Sequence, residues 1–537
     1  MPRARLTLAA LGGLYLLVIN LPELPLVMQP GLDHSWVYGI NQAHVQGLRF
    51  GSQVVFTYGP LGYVLYPLDL GSNLARAVVL RSLLSVLTVT LAAIGVYQTA
   101  SAVRAFLFLA AFTAALRVAT GLAVGLQASV EYGVVFPVLL ALGLALEARR
   151  HHLLALAATV LAAMALLMKL TLGAACAGSV AVYLLVQQRR GRLRAWALAA
   201  YAAVYAAAVA ALFAATGNLL ADLPGFLGSS LEIILGLSDA VSLAGPAVEV
   251  LLGVACVAVA AALALRARTG RLRDTALLSL PILLVAFKHG FVRHDLHAMN
   301  MFTAALGCFA VLVLFARTVT DLRWIATGIV VAAVGATAAL ATREQLLPSI
   351  AMFDPRLGLE RLCAYADWTA LRAQTAARST DALQRHRLPP ALQDRLRSGT
   401  VDVVPFDTSY VPANDLHWAP APVFQSYVAY TAALDRLNAA HFSAPDGPDH
   451  VLYELKALEG RHPFLDNPAA TRALLCHYVL DQREGGLLVL RRAVPRCGDL
   501  VPVGARTARW GEAVPVPQGD ESIQVRLHIR YGFVGWV

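Results

Sequence analysis

Residues 275–316 read TALLSLPILLVAFKHGFVRHDLHAMNMFTAALGCFAVLVLFA. Two apolar runs, 275–288 and 298–316, enclose a segment with Lys288, Arg293, Asp295 and the histidines 289, 294 and 297. A helix through the hydrocarbon core of a bilayer takes about 20 mostly apolar residues. The pair therefore reads as two membrane-crossing helices joined by a short cationic loop at the bilayer boundary. Working outward, the same reading applies to 6–28, 77–99, 103–122, 132–147, 153–170, 172–187, 195–216, 246–265 and 323–342, which makes eleven candidate spans. The first is read as a retained span, because it is long and shows no clear small-residue cleavage site before Pro30. Composition agrees: 58% of the 537 residues are hydrophobic and 14% charged, against roughly a quarter charged in soluble proteins. With six cysteines in all, these figures exclude a soluble single-domain enzyme, a disordered chain and a disulfide scaffold.

The net charge of +10 is uneven: residues 345–537 hold 20 basic and 20 acidic side chains, so the whole excess lies in the apolar two thirds. A basic chain raises the question of nucleic acid. Here the arginines fall in short clusters between apolar runs, so no nucleic acid partner is expected and the bilayer is the partner. With the N-terminus (Arg3, Arg5) in the cytoplasm, alternate loops carry Arg104, then Arg149 and Arg150, then 189–194, then 266–273, then Arg317 and Arg323, which is 15 of the 23 basic residues of 1–344. The opposite side receives six: Arg49, Arg76, Lys169, Lys288, Arg293 and Arg343. That is the bias of the positive-inside rule. The expected fold is a polytopic α-helical membrane protein of about eleven transmembrane helices (1–343, first outer loop 29–76) with a C-terminal extracytoplasmic α/β domain (344–537), in the cytoplasmic (inner) membrane. Loop 29–76, loop 288–297 and everything after 343 then share the outer face.

The first loop, 31–70, reads GLDHSWVYGINQAHVQGLRFGSQVVFTYGPLGYVLYPLDL. Over 35–48, Trp36, Val37, Ile40, Ala43, Gly47 and Leu48 share one helical face, the pattern of an amphipathic helix in the membrane interface. Asp33, beside His34, is either the cap of that helix or a general base at the membrane surface. In 288–297, ionisable groups at the bilayer edge are expensive unless paired or functional. Three readings stay open: a phosphate site built on Lys288, Arg293 and the histidines, a metal site through His294, Asp295 and His297, or a structural Arg293–Asp295 pair. Glu131, Lys169 and Arg117 lie toward outer helix ends, as parts of a polar cavity or as structural ion pairs. The semi-apolar 218–245, with Asp222, Glu232 and Asp239, reads as a re-entrant or interfacial helix gating a lipid entrance.

In the tail, 345–400 reads as helices interrupted at Pro389-Pro390. Strand-like runs follow at 401–404, 450–455, 477–480 and 487–490, with a hairpin turn at Glu484-Gly485-Gly486 and a helix at 432–440. The aromatic stretch 418–430, with Gln425, is an acceptor contact or a packed loop. Cys476 and Cys497 flank the hairpin and are candidates for a disulfide. The apolar 533–537 reads as a docked strand or as the start of more domain.

An Asp after the first span, an interfacial helix ending in a Gly-rich turn, and the aromatic-Gly-Pro-Leu segment (Phe56 to Leu61) entering the second span together resemble the first loop of the glycosyltransferase C superfamily. These are polytopic enzymes that use lipid-linked sugars. The motif likeness covers 33–67, and the layout of spans with an outer tail domain is similar over most of the chain. Where members often carry an acidic pair and Pro-Pro, this chain has Asp33-His34 and Gly59-Pro60.

The resemblance implies a membrane glycosyltransferase that moves a sugar, with inversion, from a polyprenyl-phosphate donor to an extracytoplasmic envelope glycan or lipid acceptor. It casts Asp33, with His34 beside it, as the catalytic pair. Lys288, Arg293, His294, His297 and Lys169 would hold the donor phosphate, and Tyr58, Glu131 and Asp295 would contact substrate. No metal ligand is assigned; no cofactor is certain, and a divalent metal ion is an open candidate. The alternative is a transporter or flippase for a lipid-linked or anionic substrate.

Overall fold

The structure, a computed structural model, describes residues 2–99, 101–117, 128–148, 151–267, 270–351, 353–456, 458, 462–516 and 523–528. The end of the third run (118–122), Arg149, Arg150, Arg268 and the terminus 533–537 lie outside the described residues, as do the side chains of Arg3, Arg5 and Asp239. Two compact units are present, Met1–Pro495 and Arg496–Val537. The first holds every described helix and strand.

Each of the eleven apolar runs forms a helix. They are α1 (Pro2–Ile19), then, past the loop helices α2 (Leu32–Val45) and α3 (Gly62–Leu65), α4 (Asn73–Gln98), α5 (Ala102–Arg117), α6 (Ala128–Ala145), α7 (His151–Met168), α8 (Leu170–Arg189) and α9 (Ala195–Ala215). Past α10 (Leu223–Val241) come α11 (Ala247–Arg266), α12 (Gly270–Val292), α13 (Ala298–Phe315) and α14 (Val319–Ala341). The chain is a multi-pass helical membrane protein: among the described residues, nine helices are long and apolar enough to cross a bilayer.

Two expectations change. The run 6–28 is helical only to Ile19, because Pro22 and Pro25 follow and neither can donate to a helical ladder. The 218–245 stretch, expected as a re-entrant or interfacial helix, contains a helix of spanning length and composition, with Leu220–Leu237 among the nine; Asp222 and Glu232 do not offset the Leu and Ile around them. At the centre of the bundle, α13 is buried along its whole length. A helix apolar on every side is stable only with neighbours on every side, and α5, α12 and α14 pack against it.

The first loop is not laid on the bundle with one face to solvent. In α2, Ser35 through Asn41 and Ala43 are all buried. The tail roofs this helix. Ser35 donates to Asp407 Oδ1 at 3.0 Å and Thr408 donates to the Ser35 carbonyl at 2.8 Å. The Val55 N–H reaches the Pro422 carbonyl at 2.7 Å. The ring of Phe424 lies where a Cβ on Gly39 would stand, 2.3 Å away. Gly31, at φ 121°, occupies the cap position of α2, so Asp33 sits in the first turn and does not cap it.

After α14 the tail runs through α15 (Leu346–Ala351), α16 (Pro355–Ala366), α17 (Trp368–Leu383) and α18 (Pro390–Arg397) into a five-stranded mixed sheet. Its strands are β1 (Thr400–Val404), β2 (His417–Trp418), β3 (His450–Glu454), β4 (Tyr478–Glu484) and β5 (Leu487–Arg492), in the order β2-β1-β3-β5-β4. β1 runs parallel to β2 and β3, while β5 is antiparallel to β3 and to its hairpin partner β4. Gly485, at φ 57°, makes the turn where sequence placed it.

On β1, Asp402 is buried, which pushes its carboxyl up to about 7; the Ala421 and Val403 N–H groups that bond it pull the other way. The folded value lies above the unfolded one, so this group's stabilisation is complete below about pH 4 and is lost as pH rises through about 7, at up to roughly 1.4 kcal/mol per pH unit. Thermal unfolding at pH 5 and pH 8 should show the wild type losing stability relative to Asp402→Asn. An equal shift in both chains removes Asp402 as the cause.

Candidate functional site

Lys169 is the only residue between α7 and α8, and it is extended (φ −157°, ψ 126°). The two helices fold back on each other there: a Cβ on Gly173 would meet Leu166 Cα at 2.3 Å. So tight a turn leaves carbonyls at the end of α7 without helical donors. The first loop supplies them, through Gly59 N–H to Met168 O and Leu61 N–H to Leu167 O, both at 3.0 Å. A Cβ at position 59 would stand 2.4 Å from the Leu167 carbonyl oxygen, so this approach is open to glycine alone. Docked this way, Tyr58 pairs with Lys169.

A buried polar centre results. The Lys169 ammonium lies 2.8 and 3.0 Å from the two oxygens of Glu131, and the exposures are 5% and 3%. Tyr58 donates to Glu131 Oε1 at 2.6 Å and Tyr66 does so at 3.4 Å. Lys169 also reaches His289 Nε2 at 3.3 Å. Glu131 and Lys169 thus meet as a pair, and each is fully engaged. Arg117 is elsewhere, beside Glu23.

From this centre an aromatic wall leads to Asp33. Trp36 stacks on Tyr58 at 4.7 Å and meets Tyr66 edge-on at 5.2 Å. Its indole N–H donates to Asp33 Oδ1 at 3.1 Å. Among the described residues nothing bonds the other carboxylate oxygen. His34 contacts Gln29 at 2.6 Å. Burial lowers its pKa further than Asp33 and Asp407 raise it, so the ring is neutral near pH 7.

From His289 the centre leads the other way, to the 293–297 loop. The His289 and His297 rings are 5.7 Å apart. Asp295 accepts from the His297 N–H at 2.9 Å and from Arg293 Nε at 2.8 Å, and also pairs with the His297 ring. Burial would raise the Asp295 pKa, but His297 and Arg293 outweigh it and hold the carboxyl well below its usual range. Asp295 therefore orients Arg293 and His297; its oxygens are already committed.

His294 belongs to a different network. Its Nε2 is 2.9 Å from Glu249, which also pairs with Arg343 at 3.0 Å. The phosphate and metal roles expected for His294 do not fit this placement, since its ring nitrogen is engaged away from Asp295 and His297. Among the described residues no group of three or more His, Cys, Asp or Glu is arranged to hold a metal. Lys288 is exposed, with no ion pair among the described residues.

The charges at the ends of the two arms are both felt at Tyr427, in the tail. Burial pushes its phenol well above the ordinary value, Tyr430 and Asp33 push it further, and Arg293 opposes them. Asp33 and Arg293 thus act on one hydroxyl. Sequence reasoning gave no site role to Trp36, Tyr66 or Tyr427, and took His289 only as one histidine of the 288–297 cluster. The available signals were the aromatic spacing of the first loop and the 418–430 stretch. In that stretch Gln425 is buried and donates to the Phe406 carbonyl at 2.8 Å, which fits a packed loop rather than a ligand contact.

No protein-family model matches the chain, and no curated protein matches it. Among solved structures it is similar to the crystal structure of ArnT from Cupriavidus metallidurans bound to undecaprenyl phosphate, at 15% sequence identity and a TM-score of 0.41, over 90% of this chain and 97% of that one.

Proposed function

We propose that the chain is a membrane glycosyltransferase that moves a sugar from a polyprenyl-phosphate donor to a hydroxyl of an envelope glycan or lipid. In this reading 1–343 is the catalytic transmembrane part, the N-terminus is cytoplasmic and 344–537 lies outside. The observation that supports it is a carboxylate, Asp33, held by the Trp36 indole through one oxygen with its other oxygen unbonded among the described residues, while Asp295 braces Arg293 and His297; the charges of Asp33 and Arg293 are both felt at the Tyr427 phenol. A carboxylate and a guanidinium held this way suit a displacement between an acceptor hydroxyl and a phosphate.

Asp33 takes the acceptor proton on its unbonded oxygen. The acceptor oxygen then forms its bond to the anomeric carbon as the bond from that carbon to the phosphate oxygen breaks, which inverts the centre. The departing phosphate takes the electron pair, and Arg293, His297 and the exposed Lys288 balance its charge. Lys169 and Glu131 hold Tyr58 and His289 in place, and their charges are spent on each other.

The test is the full chain in nanodiscs with radiolabelled polyprenyl-phosphate sugars and envelope acceptors. Transfer with release of the lipid phosphate is expected, and Arg293→Gln should lower kcat by about 10²- to 10³-fold, the usual loss for one such donor. Movement of intact sugar-lipid across the bilayer without cleavage would replace this reading with the transporter.

A further inference from the structure

Between the last span and the sheet domain, α16 has two faces of opposite use. Gly358 and Arg361 are buried. Arg361 donates to the Leu21 carbonyl at 3.2 Å and Tyr365 to that of Glu23 at 2.5 Å, so this side grips the stretch that runs from α1 toward Asp33. On the other side Leu359, Leu362, Cys363 and Ala366 follow the i, i+3, i+4, i+7 spacing of a helical stripe. Among the described residues all four are exposed, Leu359 at 50% and Leu362 at 53%. Leu347 and Ile350 on α15, which packs against α14, are exposed as well.

A bare apolar stripe is costly in water, at roughly 25 cal/mol per Å² of apolar surface. The level at which α16 lies says what covers it. The Tyr15 hydroxyl donates to the carbonyl of Phe353, just before α16, at 3.0 Å. A Cβ on Gly358 would stand 2.1 Å from the Val18 carbonyl oxygen. Both contacts fall on the last turns of α1, a helix that also bears the exposed Leu11 and Leu14. The apolar part of α1 is Leu6–Ile19. It is about 21 Å long at 1.5 Å per residue, against about 30 Å for the hydrocarbon core of a bilayer. Chain laid on its last turns is therefore held at the level of the membrane.

We infer that α16 is an interfacial anchor whose apolar stripe is covered by the lipid bilayer. Leu359, Leu362, Cys363 and Ala366 sink about 5–10 Å into the boundary between headgroups and acyl chains, as such helices do, on the side of the membrane where α1 ends. The stripe continues the exposed apolar surface of α1 and α15, and the exposed Arg356 and Glu360 border its polar edge. The tail is thereby moored to lipid through the same helix that holds residues 21–23. The inference does not depend on the sugar-transfer reading.

The stripe carries its own probe. Of the six cysteines, Cys176, Cys256 and Cys308 are buried, Cys476 and Cys497 are disulfide-bonded, and Cys363 alone is a free exposed thiol. The full chain is labelled with bimane in detergent, with Cys363→Ser as the blank, and reconstituted in nanodiscs. A label at Asp394→Cys in the Cys363→Ser chain, on an exposed position of α18, is the aqueous reference. Iodide should quench the Cys363 label about fivefold less than the reference, and lipids brominated high on their acyl chains should quench it about threefold more, as burial in the interface requires. Quenching by iodide equal to the reference overturns the anchor. Protection from both quenchers overturns it as well, since protein rather than lipid then covers the stripe.

Discussion

Asp33→Asn is expected to slow sugar transfer by about 10²- to 10⁴-fold, the range for removing a positioned general base. The substitution keeps the side chain's shape. The oxygen that accepts from Trp36 at 3.1 Å remains an acceptor in the amide, so α2 keeps its place against Tyr58. What disappears is the oxygen able to take a proton. Arg293, His297 and Lys288 are untouched, so KM for the donor should hold while kcat falls. The measurement is transfer by the reconstituted variant at saturating donor, beside a melting curve to show the chain is folded. A folded variant that transfers sugar within a few-fold of the wild-type rate would remove Asp33 as the base.

The second large effect is on stability. Lys169→Met strips Glu131 of its ammonium partner and leaves a buried carboxylate with only Tyr58 and Tyr66 as donors. Breaking one half of a buried pair typically costs about 3–5 kcal/mol. Glu131→Gln added to Lys169→Met removes the stranded charge, so the double variant should recover much of the loss. Unfolding in detergent, followed by labelling of the buried free thiols Cys176 and Cys308, reads both. A double variant as unstable as the single one would show that the cost comes from lost packing around Lys169 rather than from the charge.

Hydrophobic runs and arginine clusters identified the bundle because both are local properties. Pro22 shortened α1 within a run that composition alone extended to 28. In α10, the small and polar residues 228–230 and Glu232 made a helix of spanning length read as a re-entrant or interfacial one. In the tail, β1 and β3 were visible as runs of β-branched and apolar residues, whereas the two-residue β2 forms only because β1 lies beside it.

The site was legible in its parts and not in its connections. Glu131 and Lys169 stood out as ionisable groups at helix ends, but their pairing spans 38 positions and depends on Gly59 reaching the end of α7. His294 was grouped with Arg293 and Asp295 by adjacency. The short pairing of Leu243 with Arg293 fixes the loop instead, and His294 meets Glu249 from another helix. Tyr427 lies nearly four hundred residues from Asp33, and only the tail's descent onto α2 brings them near each other.

That descent has a consequence for how the protein can be divided. Severing the chain after α14 would strip Phe424 from Gly39 and Asp407 from Ser35, baring a helix whose every face is greasy or already spoken for. The seat of Asp33 is shared property: the loop helix carries the acid, and the tail, through Asp407 and Thr408 at Ser35, holds that helix in place. Swapping in a foreign tail to redirect such a molecule would therefore unseat its acid as well, unless residues 405–428 travelled with the first loop as one cassette.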